Sequence, residues 1–145
     1  MGRYRDFGRT VIRALLLALA LAAPAARADE LLEPERAFEF AARALGADAL
    51  EVSFRIADGY YLYRDRLRFS SDNARLGAPE LPRGKPKTDK FFGTTEIYRG
   101  EVRIRIPVER APAAALRLDV VSQGCADAGV CYVPMESHAE LRLAP

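Results

Sequence analysis

The stretch VRIRIPV, Val102 to Val108, sets Val102, Ile104, Ile106 and Val108 on one face of an extended chain and Arg103, Arg105 and Pro107 on the other. Successive side chains of a strand point to opposite faces, so this pattern predicts a strand with one side buried and one side in water. The same alternation recurs in LEVSFRI (Leu50, Val52, Phe54 and Ile56 inward) and in LRLDV (Leu116, Leu118 and Val120 inward). ELRL, with Leu141 and Leu143 inward, reads as a last strand, and Leu67 to Phe69 as a short one. Turn signals separate these runs at Asp58-Gly59, Gly77 to Pro79, Pro82 to Gly84, Arg99-Gly100 and Pro112. In PERAFEFAARALGAD (Pro34 to Asp48) Ala and Arg favour helix while Phe38 and Phe40 alternate, and the expectation is a turn at Pro34 to Arg36 and a strand from about Phe38. Repeated short strands with turns between them predict an all-β fold, an antiparallel β-sandwich.

The start of the chain bears on compartment. Arg3, Arg5, Arg9 and Arg13 form a basic region, ALLLALALAA (Ala14 to Ala23) a short apolar run, and Ala26 to Ala28 a small-residue cleavage signal, which together read as a signal peptide over residues 1–28. The apolar run falls short of the roughly 18 residues that a spanning helix needs. A soluble, exported chain in a periplasm-like space that permits disulfides is therefore expected, with no membrane insertion after cleavage. Cleavage before Asp29 lowers Lys+Arg from 22 to 17 and Asp+Glu from 20 to 19, so the basic charge of the whole chain belongs mostly to the leader. No footprint for nucleic acid remains. Residues 29–145 suffice for one domain with its own core.

Both cysteines lie in SQGCADAGVCYVP, Ser122 to Pro134. Cys125 and Cys131 fall between the strand ending at Val121 and the one near the C-terminus, where two sulfurs can meet across neighbouring strands. A structural staple is one reading, but a loop of seven residues adds only about 2.4 kcal/mol in the chain-entropy model. The intervening ADAGV is small and flexible, so another protein could approach the sulfurs closely, and exchange chemistry is the other reading.

Two further stretches bear on the choice. Tyr60 and Tyr61 in DGYYLYR are adjacent, so an extended backbone sends them to opposite faces and cannot bury both in one core. Phe91 and Phe92 in TDKFFGTTEIYR are adjacent too, and Gly93 follows at once. Rings in a glycine-hinged loop either pack at the end of a sandwich or form a lid, here over the cysteine pair.

QGCADAGVCY, DGYYLYR and DKFFGTTEIYR, in that chain context, closely resemble the family of N-terminal periplasmic domains of the thiol:disulfide interchange protein DsbD, over nearly all of residues 34–143. The resemblance implies an immunoglobulin-like sandwich that relays electrons from a membrane reductase, through a thioredoxin-like donor, to periplasmic thioredoxin-fold acceptors, with no cofactor and no metal. It implies that Cys131 forms the mixed disulfide with partners and that Cys125 resolves it. Asp89, Lys90, Phe91, Phe92 and Gly93 would be the cap loop with the acid beside the pair, and Tyr61, Tyr63 and Tyr132 the surrounding aromatics. Full-length family members continue into membrane helices and a thioredoxin-like domain, whereas this chain stops at Pro145, so the donor is expected to be a separate polypeptide. Lys90 stands where the family often has a second acid, and Val133 where it often has Pro.

Two readings from other classes compete. Cys125, Cys131, Met135 and His138 are residue types that hold Cu(I), although their spacing matches no strong motif. A binding module with a structural disulfide is the other. The single histidine, His138, has no serine placed for a hydrolytic triad and reads as a strand-end residue, like Met135.

Overall fold

The computed structural model describes residues 30–113 and 115–144, and the expected leader with its cleavage site lies outside them. A one-turn helix α1 (Pro34–Ala37) leads into β1 (Phe38–Ala44), followed by β2 (Ala49–Ile56) and β3 (Tyr60–Tyr63). A 3-10 turn (Arg64–Arg66) precedes β4 (Arg68–Ser70), β5 (Arg75–Leu76), β6 (Lys85–Asp89), β7 (Gly93–Tyr98) and β8 (Glu101–Arg110). The chain closes with β9 (Leu116–Ser122), β10 (Gly124–Ala126), β11 (Val130–Cys131) and β12 (Met135–Leu141). The strands form three antiparallel sheets, ordered β1-β2-β8-β5, β11-β10-β3-β7-β6 and β12-β9-β4. Among the described residues no helix is long and apolar enough to cross a membrane.

The alternating residues do as the pattern demands. Leu50, Val52, Phe54 and Ile56 of β2, Val102, Ile104, Ile106 and Val108 of β8, and Leu116, Leu118 and Val120 of β9 are all buried in one cluster. Their removal from water, at about 25 cal/mol per Å² of apolar surface, is what holds the layers together. The outward face of the first sheet is laced with ion pairs instead, Arg43 to Glu51, Arg55 to Glu39 and Arg105 to Glu80.

Three expectations change in detail. Pro34 to Arg36 opens a single helical turn, with Pro34 at its start where no N–H is missed, and the strand begins at Phe38 as expected. The last strand starts at Met135 rather than Glu140, so Met135 and His138 lie within it, and Leu143 packs on the core beyond its end. The segment read as a glycine-hinged loop is a hairpin: β6 and β7 pair from Lys85↔Ile97 to Asp89↔Gly93 around the three residues Lys90, Phe91 and Phe92. Gly93 has φ +70°, the left-handed conformation that closes a three-residue hairpin loop.

β3 is the wall between two interiors. Tyr60 and Leu62 face the main core, while Tyr61 and Tyr63 join a second cluster with Ile97 and Cys125. The adjacent tyrosines are both buried, on opposite sides of one strand.

On the core side the chain near the cysteines is held by close packing. A Cβ on Gly124 would stand 2.5 Å from the Tyr61 carbonyl oxygen and 2.6 Å from the Phe38 ring. Phe38 in turn packs edge-on against Tyr60 at 6.0 Å and Tyr132 at 5.5 Å. The Tyr132 hydroxyl donates to the Leu32 carbonyl at 2.5 Å, and the Leu32 amide donates to the Tyr60 hydroxyl at 2.8 Å, so these two tyrosines clamp the start of the domain. Gly124→Ala is expected to lower unfolding stability by about 1–3 kcal/mol, the usual cost of overpacking, because backbone and a wedged ring must both yield. Denaturant unfolding of the two oxidised proteins measures this, and equal midpoints would contradict it.

Candidate functional site

Cys125 and Cys131 are directly opposed partners of β10 and β11, and they are joined by a disulfide with their Cα atoms 4.0 Å apart. The Tyr132 amide donates to the Gly124 carbonyl at 3.0 Å, one residue outside the pair. That places the cysteines at a non-hydrogen-bonded position of the ladder, where facing side chains come closest. Register carries the row onward: Cys125 also opposes Tyr61 of β3, so Cys131, Cys125 and Tyr61 share one face, with Tyr63 two residues along. Cys125 is fully buried, whereas Cys131 is half-buried at the sheet edge.

The tip of this hairpin is anchored. Asp127 accepts both prongs of the Arg99 guanidinium, at 2.7 and 3.0 Å, and its amide donates to the Gly59 carbonyl at 2.8 Å. The Arg99 contact holds the Asp127 carboxyl below its usual range. Arg99 also donates to the Tyr60 carbonyl at 3.1 Å, tying the hairpin to β3.

Asp89, the last residue of β6, connects the hairpin loop to the tyrosines. Its Oδ1 accepts from the amides of Phe91 and Phe92, both at 2.9 Å, which is how an aspartate caps a tight turn. Its Oδ2 accepts from the Tyr63 hydroxyl at 2.5 Å and the Tyr61 hydroxyl at 3.3 Å. The Tyr63 oxygen lies 3.2 Å from Cys125 Sγ and 3.9 Å from Cys131 Sγ. Burial alone would raise the Asp89 carboxyl, but the donors from Tyr63, the two amides and Tyr61 together outweigh it and hold it below the ordinary range. Burial, with the Asp89 and Tyr61 hydrogen bonds behind it, raises the Tyr63 phenol far above its usual value. The phenol therefore keeps its proton and the carboxylate its charge across the neutral range.

The structure brings Cys125, Cys131, Asp89, Phe92, Tyr61 and Tyr63 together. Of the two phenylalanines, Phe92 packs inward, edge-on to Tyr63 with centroids 4.8 Å apart, while Phe91 is 40% exposed at the tip. Lys90 is exposed and reaches back over the Phe91 ring at 5.0 Å. Tyr132 does not join them: neighbouring residues alternate, so with Cys131 on the site face its ring lies against the main core. Val133 is 79% exposed and Val130 43%, both within two residues of Cys131 in sequence.

Sequence reasoning passed over the cations around the site. Lys87 and Arg99 lie 4.8 and 5.1 Å from the Tyr61 ring centroid, and Arg66 lies 4.1 Å from that of Phe92. Lys87 lies on β6, separated from the tyrosines' strand by β7, so no local pattern signals its place over the Tyr61 ring. The set considered for copper is not assembled: the cysteines are bonded to each other, and His138 Nδ1 lies 2.7 Å from an Asp119 carboxylate oxygen on β9. Among the described residues no group of three or more His, Cys, Asp or Glu could hold a metal.

A group with a depressed folded-state pKa adds stability above its unfolded value, near 3.9 for Asp, and loses it as pH falls through the folded value. Asp89→Asn is accordingly expected to cost about 1–3 kcal/mol at pH 7, the range for a hydrogen-bonded charged group, and progressively less below pH of about 4. Denaturant titrations of the oxidised proteins at pH 7 and at acid pH check the sign. A deficit that persisted unchanged in acid would contradict it.

Comparison with known proteins gives this geometry a family. Residues 28–143 match the family described as thiol:disulfide interchange protein DsbD, N-terminal. The DsbD of Ralstonia nicotianae is 50% identical over 127 residues, covering 85% of this chain, and that of Neisseria meningitidis serogroup A is 39% identical over 129 residues, covering 88%. The chain spans 21% of the length of each of these relatives. Among solved structures, the reduced DsbD N-terminal domain of Neisseria meningitidis superposes with a TM-score of 0.70 at 38% identity, covering 76% of this chain and 88% of that one. The same organism's DsbD N-terminal domain in complex with the PilB N-terminal domain gives 0.66 at 37% identity, covering 77% and 88%. With its immunoglobulin-like sandwich and its disulfide across one edge of a sheet, the chain belongs to the family of DsbD N-terminal domains.

Proposed function

We propose that the domain is a periplasmic thiol-disulfide relay, working after removal of residues 1–28, which takes two electrons from a thioredoxin-like donor fed by a membrane reductase and passes them to thioredoxin-fold acceptors. The observation that carries this reading is the unequal burial of the two sulfurs' residues, with Cys131 half-buried beside exposed Val130 and Val133 and Cys125 fully buried behind it. Exchange needs one sulfur that a partner can reach and a second close enough to finish the reaction.

In the reduced domain, the Cys131 thiolate attacks one sulfur of the acceptor disulfide. The Cys131-to-acceptor bond forms, the acceptor's own bond breaks, and its released thiolate takes up a proton. Cys125 then gives up its proton and attacks Cys131 Sγ, which restores the intramolecular disulfide and releases the second acceptor thiolate. Two electrons and the Cys125 proton have moved to the acceptor, and its second thiolate takes a proton from solvent, matching the one Cys131 gave up in forming the attacking thiolate. The donor reverses the sequence in a separate encounter. Tyr63 is placed to receive a hydrogen bond from a Cys125 thiol, because its own proton is already committed to Asp89. The charge of Asp89 disfavours a thiolate at the buried sulfur until the mixed disulfide draws Cys125 into attack.

In the closed site the ring of Phe92 covers Tyr63 beside the pair, and partner docking lifts the hairpin tip. The solved complex of a Neisseria DsbD N-terminal domain with a PilB N-terminal domain supports a protein partner for this chain's site.

The test is covalent trapping with a thioredoxin-fold acceptor. Cys125→Ser is expected to accumulate a mixed disulfide through Cys131, and Cys131→Ser to give none. Trapping by Cys131→Ser alone would reverse the two roles, and trapping by neither would remove the relay.

A further inference from the structure

The ring of Phe92 is gripped from two directions. Tyr63 meets it edge-on, and the guanidinium of Arg66 lies over it, 4.1 Å from its centroid. Arg66 belongs to the 3-10 turn that follows β3, so it reaches the ring from the floor of the site rather than from the lid's own hairpin. The contact spans the gap that must open when the hairpin tip lifts.

Its neighbours show that this placement is particular to Arg66. Arg64 pairs with Glu96 at 3.3 Å and donates to the Pro82 carbonyl at 3.0 Å. Arg68 donates to the carbonyls of Asp65 and Leu67, both at 2.8 Å. The Arg66 side chain has no hydrogen-bonded or ionic partner among the described residues, and its guanidinium lies on the Phe92 face. A guanidinium there is attracted to the negative face of the ring and shields its apolar surface from water.

We infer that Arg66 is the latch of the lid, a positioning residue that holds Phe92 down on Tyr63 and so limits how often an unselected thiol reaches Cys131. The inference rests on the lid reading given above. Two effects of the cation have opposite signs, which makes them separable. As a latch it slows attack by keeping the lid closed, whereas as a bare positive charge near the disulfide it would speed attack by an anionic thiolate.

The experiment measures the second-order rate at which dithiothreitol reduces the disulfide, read as newly alkylatable thiols, in the wild type, Arg66→Gln, Arg66→Lys, Phe92→Leu and the double variant Arg66→Gln/Phe92→Leu. Arg66 is exposed, so its substitution leaves the core intact. Arg66→Gln is expected to react about two- to five-fold faster, the range for a cation over a partly exposed ring, with Arg66→Lys nearer the wild type. Phe92→Leu is expected to be faster as well, and adding Arg66→Gln to it to give no further gain. A slower or unchanged Arg66→Gln, or the same acceleration in both backgrounds, overturns the latch while leaving the lid in place. An unchanged Phe92→Leu overturns the lid and the latch together, whereas trapping by Cys125→Ser reports on the relay independently of both.

Discussion

The site is organised by one carboxylate. Asp89 uses its two oxygens for separate tasks, one capping the amides of Phe91 and Phe92 and the other accepting the hydroxyls of Tyr63 and Tyr61. The conformation of the hairpin tip and the orientation of the phenol beside the sulfurs are therefore not independent. Neither oxygen has a substitute: a neutral amide could serve the hairpin tip or the tyrosines with its carbonyl, but its nitrogen end accepts nothing. The half-buried charge is tolerated because it is surrounded by donors, and those donors are the elements that must be held in place.

Rigidity reaches this carboxylate through β3. Tyr60 and Leu62 are fixed by the main core, so Tyr61 and Tyr63 on the reverse of the same strand inherit that fixity. Gly124 extends the arrangement to β10, since its missing side chain lets the Phe38 ring sit against the backbone immediately before Cys125. The disulfide is thus built on the back of a packed wall, while the hairpin tip and the half-buried Cys131 lie at its margin.

Much of this was legible in the residues. Period-two alternation in β2, β8 and β9 points to a sandwich, and the adjacency of Tyr60 and Tyr61 already means that one core cannot bury both. What alternation cannot do is identify β6 and β7, where Lys85, Lys87 and Thr95 on one face and Thr88, Thr94 and Glu96 on the other leave neither face apolar, and the loop Lys90 to Phe92 lacks a two-residue turn signature. Adjacency likewise says that Phe91 and Phe92 diverge without saying which turns inward. That choice follows from the Asp89 cap and the positive φ of Gly93, both properties of the closed hairpin. The exclusion of Tyr132 from the site followed from its place next to Cys131, but motif likeness alone groups them. The cations Arg66, Lys87 and Arg99 come from three separate elements, and only tertiary structure brings them over the rings.

The short span of the disulfide has a thermodynamic corollary. The cysteines are six residues apart in sequence, and the hairpin that joins them is anchored by Asp127 to Arg99 and Gly59, bonds that involve neither sulfur. Around a cycle of folding and reduction, whatever stability the bond lends the fold must equal the preference that the fold lends the bond. A loop this short lends about 2.4 kcal/mol, which for a two-electron couple corresponds to a bias of about 50 mV over the same pair in the unfolded chain. Folding and oxidation state are therefore coupled by about that amount, so breaking the bond lowers the stability of the fold by about 2.4 kcal/mol and leaves the contribution of the packed core as it was.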